Sequence, residues 1–355
     1  MRVVHVHRMR GIGGSERHLL VLLPALSSRG IDVRFVGLDD PEWEPGAFYD
    51  ALTVPCERLP APRDLDPRLA SRLRATLRRL RPDIVHTHLV HGDVYGALAA
   101  GRARVVSTKH NDDPFRTGPL RFVERALARR AARIITITQA LRRFSIERVG
   151  LPPDKIEVVP YGLDDLPAPW AESPPPAVPD GARVLLCVAR LVPQKGVDVA
   201  AAALPRIRER HPEAVLVVLG EGPQRATLQA DGLHLLGRVG DVATWYRRAE
   251  IVVHPARWEG FGLALLEAML AAKPVVATRV SSIPEIVVDG ETGTLIEPDD
   301  PDALAAAVAA LLDDPAGAAT YGARGRARAR AEFSVGQMAA RTEALYAAAV
   351  SRAAR

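Results

Sequence analysis

The chain has 355 residues, 48% hydrophobic and 25% charged, with a formal net charge of +5. That length is too great for one ordinary core and the composition is that of a soluble, folded, two-domain protein, which excludes a disordered tail or a fibrous chain. No apolar run approaches the roughly 20 residues of a membrane span, and no like-charge block or nucleic-acid-binding signature appears, so no nucleic-acid partner is expected.

The opening run Val3-Val4-His5-Val6-His7 is too short and polar for a signal peptide and reads as a first strand. Further β-branched runs at 33–38, 84–88, 105–110, 133–138 and 156–160 predict strands, with helices over 15–29 and 68–80 between them. After the first strand comes Arg10-Gly-Ile-Gly-Gly-Ser15, where Ser15 is expected to cap a helix. The amides of Gly13 and Gly14 are placed to meet a phosphate or sugar. Gly11-x-Gly13 also begins a dinucleotide fingerprint, and Asp39-Asp40 ends the second strand where a ribose-binding acid belongs. Glu16, however, occupies the position that needs glycine or alanine, which counts against a nicotinamide enzyme.

On strand 84–88, His86 and His88 point to one side, and with His91 and His110 a metal site is conceivable. Asp93 completes such a set poorly, so structural or cleft-lining histidines are expected instead. Asp64-Leu-Asp66 has the spacing of a metal loop but lies between prolines ahead of a helix, where capping explains it better. Residues 119–133 predict a helix with Arg121, Arg125, Arg129 and Arg133 in one basic stripe. Leu120, Val123, Leu127 and Ala131 are expected to face the core. Together with Arg72, Arg78, Arg79 and Arg81, this stripe suggests peripheral contact with an anionic membrane surface. The competing reading is a solvated face in an arginine-rich protein.

Prolines crowd 166–181, which reads as an interdomain linker. Domains are expected at 1–165 and 182–333, with a C-terminal helix in 334–355. In the second half, strands are predicted at 184–189, 214–219, 233–237, 251–254 and 274–278. Continuous apolar strands alternating with helices mean parallel sheets covered on both faces. The expected fold is therefore α/β, with two doubly wound Rossmann-like domains. Cys187 lies inside the apolar run 184–188, and the only other cysteine is Cys56. Free thiols in a reducing compartment, hence a cytoplasmic protein, are expected.

Strand 184–189 leads into Arg190-Leu-Val-Pro-Gln-Lys-Gly196, at a strand end where doubly wound folds bind ligands. Arg190 and Lys195 suit a diphosphate, one as a planar fork and the other as a point charge. Arg238 and Val239 follow strand 233–237 and are placed to meet phosphate and base. Strand 251–254 leads into Glu259-Gly-Phe-Gly-Leu-Ala-Leu-Leu-Glu267. Gly260 and Gly262 permit a sharp turn, and the helix expected from Leu263 brings free N–H groups to its start. Counted as helix, the eight steps between the glutamates rise about 12 Å, roughly the span from one sugar across a diphosphate to another.

These last segments resemble the E-x7-E signature and the R-x-x-x-x-K-G element of the family 4 retaining glycosyltransferases. The resemblance implies the GT-B fold, two facing domains with a cleft between. It also implies a last helix that packs back on the first domain. It assigns the donor sugar to Glu259, the ribose hydroxyls to Glu267 and the diphosphate to Arg190 and Lys195. Gly13, Gly14, Gly260, Phe261, Gly262 and Leu263 belong to the donor loops. His110 and, behind it, His88 are placed near donor sugar and acceptor, with Asn111 and Asp112 on the acceptor side. The implied activity is transfer from a UDP- or GDP-sugar to a hydroxyl acceptor, without a metal or other cofactor. The rivals are a nucleotide-sugar epimerase on the same plan, using Glu259 and His110 as acid and base, and a non-catalytic nucleotide-sugar-binding protein. The chain departs from the family at Pro160-Tyr161-Gly162 (usually P-N-G), at Ser281-Ser-Ile-Pro-Glu285 (usually G-G-x-P-E) and at Lys273, often glycine. Those departures leave the acceptor open.

Overall fold

A computed structural model describes residues 1–43, 46–63, 66–166 and 178–351. Most of the linker segment, Asp64 and Leu65 of the rejected metal loop, and the last four residues lie outside it. Two compact units form: Met1–Gly162 together with Ser334–Arg355, and Leu163–Phe333.

The first unit contains strands β1 (Arg2–Met9), β2 (Asp32–Asp39), β3 (Cys56–Pro60), β4 (Ile84–His88), β5 (Arg104–Lys109), β6 (Arg133–Thr136) and β7 (Ile156–Val158). They lie in the order β3-β2-β1-β4-β5-β6-β7, with every pair parallel. Strand alternation sorts the side chains onto two faces. Val3, Ile84 and Val106 pack against Leu19, Leu22, Leu23 and Leu26 of helix Gly14–Ser28 and against Met338 and Leu345 of helix Val335–Ser351. Val4, Val6, Val85 and Val105 face Leu69, Leu73 and Leu77 of helix Pro67–Leu80. Asp66 caps that last helix, accepting from the Arg68 N–H at 2.9 Å.

The second unit holds β8 (Arg183–Val188), β9 (Ala214–Leu219), β10 (Leu233–Gly237), β11 (Ile251–His254), β12 (Val275–Thr278) and β13 (Thr294–Ile296). Their order is β10-β9-β8-β11-β12-β13, again parallel. Each sheet thus reverses its strand order once, between β1 and β4 and between β8 and β11. Crevices at the carboxyl ends of such strands are where doubly wound folds bind ligands.

Three expectations need correction. β3 and β13 carry too little apolar alternation to have been predicted; β3 is an edge strand with no fully buried residue. Ser15 does not cap its helix: Gly13 occupies that position, and the Glu16 side chain reaches back to the Gly13 N–H at 2.8 Å. The helix around 120–130 is also turned differently. It spans Leu120–Arg130 and buries Glu124 and Ala128, while Leu120 and Val123 are exposed. The reason is electrostatic. Glu124 is drawn inward by Arg116, with both guanidinium contacts at 2.8 Å, and by Lys109 at 3.3 Å. Burial would raise its carboxyl, but these cations outweigh that and hold it below the ordinary value. Arg133, expected in the basic stripe, is instead buried in β6.

Candidate functional site

In the second unit, the loop after β11 folds so that Glu259 meets the loop after β8. Gly196 makes this possible. It sits at φ 62°, and a Cβ there would lie 1.9 Å from the Pro255 carbonyl oxygen. Across the same seam the Arg257 N–H donates to the Gln194 carbonyl at 2.8 Å, and the Gln194 amide donates to the Trp258 carbonyl at 3.2 Å. Gly196→Ala should cost about 2 kcal/mol or more from left-handed strain and overlap, measured as a lowered urea midpoint. An unchanged midpoint would mean the seam yields.

The seam delivers Lys195 Nζ to 2.5 Å from Glu259 Oε2, and His254, the last residue of β11, brings its Nε2 to 2.9 Å from the same oxygen. Among the described residues, the other carboxylate oxygen accepts only the neighbouring Gly260 N–H, at 3.1 Å. Glu259 is 8% exposed. Burial alone would raise its carboxyl; the Lys195 ammonium and the His254 bond overcome this and hold it far below the ordinary value of 4.5. Glu259 is therefore a fixed anion with one oxygen tied back and the other turned to the Gly260 side. Lys195, expected on a diphosphate, is also paired here with the glutamate. Arg190 is exposed and, among the described residues, bonds only to Gln194, at 3.3 Å.

The following helix is Leu263–Leu270, begun by Gly262 at φ 100°. Glu259 precedes it in the loop, so the 12 Å helical span does not apply to the glutamate pair. Glu267 lies inside the helix and is 3% exposed; the Tyr246 hydroxyl stands 2.9 Å from its Oε2. Phe261 is buried against Phe333, while Gly260 and Leu263 are half-buried. Arg238 is exposed and Val239 half-buried after β10. Neither His254 nor Tyr246 was singled out from the sequence. The one hint was the polar His254 closing an otherwise apolar strand.

In the first unit, Glu16 occupies the crevice end of β1. It receives the Gly13 N–H and sits 2.7 Å from His7 Nε2. The Gly13 amide, expected on a phosphate or sugar, is therefore already engaged, while Gly14 begins the helix. Asp40 pairs with Arg8 at 3.0 Å and Arg10 at 3.1 Å, and Asp39 holds Tyr49 and Arg58. Neither acid stands ready for a ribose, which removes the main support for a nicotinamide enzyme.

His86 and His88 do share a face, but neither His91 nor Asp93 joins them. Asp93 belongs to the opposite face, bonded to Thr87, Ser107 and Lys109. The third member is His5 of β1, aligned with His86 by strand register. One ring nitrogen from each of the three lies within 4.8 Å of the others. His110 has both nitrogens engaged, Nε2 with His88 Nδ1 at 3.0 Å and Nδ1 with the Tyr161 hydroxyl. Burial, then the nearby His18 and His7, push its imidazole well below 6.5. A ring with both nitrogens engaged is not placed to act as the acid or base that the epimerase reading asks of it. Asn111 and Asp112 beside it are half-buried, with the Asn111 amide donating to Asp113 at 2.6 Å.

Two parallel doubly wound units, with charged clusters at their strand-order reversals, define a nucleotide-binding α/β protein of GT-B type. Residues 12–165 match the model of Glycosyltransferase Family 4, and residues 182–314 match that of Glycosyl transferases group 1. The glycogen synthase of Mycobacterium tuberculosis is 32% identical, over 95% of this chain and 92% of its own. A D-inositol 3-phosphate glycosyltransferase of Thermobispora bispora is 32% identical, over 96% and 91%. Anabaena Alr3699/HepE in complex with UDP-glucose shares the fold, with a TM-score of 0.82 at 22% identity over 98% of this chain and 100% of that one. The chain belongs to the family 4 glycosyltransferases, and it is a glycosyltransferase that uses a nucleotide-sugar donor.

Proposed function

We propose that the protein transfers a sugar from a UDP- or GDP-sugar to a hydroxyl acceptor with retention of anomeric configuration. The observation that carries this is the largely buried Lys195–Glu259–His254 cluster at the carboxyl ends of β8 and β11, with Arg190 in the same loop as Lys195. Glu259 offers a fixed carboxylate to donor-sugar hydroxyls. Glu267, held by Tyr246, does the same for the ribose. Arg190 and Lys195 offset the negative charge that grows on the departing diphosphate, aided by the N–H groups at the start of helix Leu263–Leu270. With no protein nucleophile proposed, the leaving phosphate itself takes the acceptor proton on the same face. The acceptor meets the first unit near Asn111 and Asp112, while His88 is fully buried behind His110. An epimerase needs an acid–base partner for Glu259, and His110 with both nitrogens bonded does not supply one.

The test is incubation with a panel of UDP- and GDP-sugars and hydroxyl acceptors, in the presence of EDTA. Transfer with release of free UDP or GDP is expected to persist without metal. An epimerised donor, or an enzyme silenced by EDTA and restored by manganese, would overturn the reading.

A membrane-proximal acceptor is favoured by one surface. Phe115 and Phe122 are 53% and 60% exposed, next to exposed Leu120 and Val123. Arg121 stacks over the Phe122 ring at 4.9 Å, and Arg129 is exposed on the same helix. Arginines near an anionic surface contribute roughly 1 kcal/mol each, and inserted aromatic rings add burial of apolar area. The protein should float with anionic vesicles at low salt, and Phe115→Ser with Phe122→Ser should abolish this. Absence of flotation would leave the acceptor in solution. No single helix among the described residues is long and apolar enough to cross a membrane.

A further inference from the structure

Buried histidines run in an unbroken hydrogen-bonded line through the first unit. The Tyr161 hydroxyl meets His110 Nδ1; His110 Nε2 meets His88 Nδ1 at 3.0 Å; His88 Nε2 meets His5 Nδ1 at 2.9 Å. His5 Nε2 lies 3.2 Å from the Tyr346 hydroxyl, which lies 2.5 Å from His86 Nδ1, and His86 Nε2 lies 2.7 Å from Thr108 Oγ1. The line arises from register. His5 pairs with His86 and His7 with His88 across β1 and β4, and His88 pairs with Thr108 across β4 and β5. Tyr346 enters from helix Val335–Ser351.

The hydrogens along this line obey a simple constraint. A neutral imidazole has one N–H and one bare nitrogen, and a hydroxyl has one hydrogen. Each contact needs one hydrogen and has room for one. If Tyr161 donates to His110, then His110 must donate to His88, and the choice propagates through His5 to the Tyr346 oxygen, and on to Thr108 when Tyr346 donates to His86. If Thr108 donates to His86 and Tyr346 passes the choice on to His5, every ring is reversed. A hydroxyl oxygen has two lone pairs, so one mixed pattern remains, in which Tyr346 accepts from both His5 and His86 and turns its own hydrogen off the line. Burial keeps His5, His86, His88 and His110 neutral by pushing each well below 6.5, His5 to about 3.

Two observations select the direction. The Tyr346 hydroxyl is close to His86 and distant from His5, as a phenol is when it donates to the first and accepts from the second. A phenol is also a stronger donor and weaker acceptor than an aliphatic hydroxyl, so Tyr161 belongs at the donating end and Thr108 at the accepting end. We propose that His5, His88 and Tyr346 are positioning residues which, through one shared polarity, fix His110 as the Nε2–H tautomer and hold Tyr161 against it. Its bearing on catalysis rests on the glycosyl-transfer reading, in which His110 and Tyr161 border the acceptor side.

Charged or titratable neighbours do not interrupt the line. Glu16 and His18 on helix Gly14–Ser28, His7 on β1, and Lys109 and Arg116 near β5 surround it. The rival use of His5, His86 and His88 is a metal site. A metal would need ring nitrogens that already have partners within the chain.

Two-bond proton–nitrogen NMR of the full-length protein, labelled with nitrogen-15 histidine, reads tautomers directly and needs no substrate. A failed transferase assay and a failed relay are therefore separable. All four rings should show the Nε2–H pattern, unchanged from pH 6 to pH 8. In Tyr346→Phe, His110 should become a mixture of tautomers although three contacts away; Tyr161→Phe should do the same from the other end. A purely structural tyrosine would disturb only His5 and His86. Mixed tautomers in the unaltered protein, an imidazolium in that pH range, or an unaffected His110 in both variants would overturn the proposal. So would zinc shifting the His5, His86 and His88 signals together.

Discussion

Lys195→Ala should lower the transfer rate by about 10²- to 10³-fold, the effect of removing one group that stabilises charge developing in the transition state. Lys195 also neutralises Glu259, and the two side chains are only 14% and 10% exposed. Breaking such a pair from one side costs about 3–5 kcal/mol when fully buried, and the lower end applies because His254 still holds the carboxylate. Adding Glu259→Gln to Lys195→Ala removes the stranded charge. The double variant should regain most of the stability and none of the rate. Thermal melts and turnover with a donor sugar check both halves. Recovery of rate along with stability would mean that Lys195 serves only to hold the fold.

The second large effect divides labour between the glutamates. Glu267→Ala should weaken free UDP or GDP binding by about 1–3 kcal/mol, the usual range for a lost hydrogen bond to a charged group, or roughly 5- to 150-fold in Kd. Glu259→Ala should leave nucleotide affinity intact and abolish the extra affinity that the sugar provides. Tyr246→Phe should reproduce part of the Glu267 effect, since it removes the hydroxyl 2.9 Å from that carboxylate. Isothermal titration with nucleotide and nucleotide sugar separates these outcomes. Equal losses of nucleotide affinity in the Glu259 and Glu267 variants would contradict the division.

The two parallel sheets were legible because each central strand is an uninterrupted apolar run, and both faces of such a strand must be covered. Strands that fail that test escaped: β3 is an edge strand half in solvent, and β13 has only three residues. The glutamates and the Arg190–Lys195 loop are local patterns, and their likeness to the E-x7-E and R-x-x-x-x-K-G motifs picked them out. Their partners are not local. His254 reaches Glu259 because β11 ends at the loop, and Tyr246 reaches Glu267 from another helix. The His5–His88 contact spans 83 residues and Tyr346–His5 spans 341, separations at which periodicity carries no information. The H-x-H repeat in both β1 and β4 was the available signal for the histidine line, once those strands are known to be neighbours in register. Helix Leu120–Arg130 misled the apolar-stripe rule because a buried Glu124–Arg116 pair outweighs the exposure of Leu120 and Val123.

The most direct measurement is the anomeric configuration of the transferred sugar, read by proton NMR of the product formed from an α-linked UDP- or GDP-sugar. A product with the α-linkage preserved, formed together with free nucleoside diphosphate and lost in Lys195→Ala, is the predicted result. A β-linked product, or donor consumed with the sugar never leaving its nucleotide, would contradict the account.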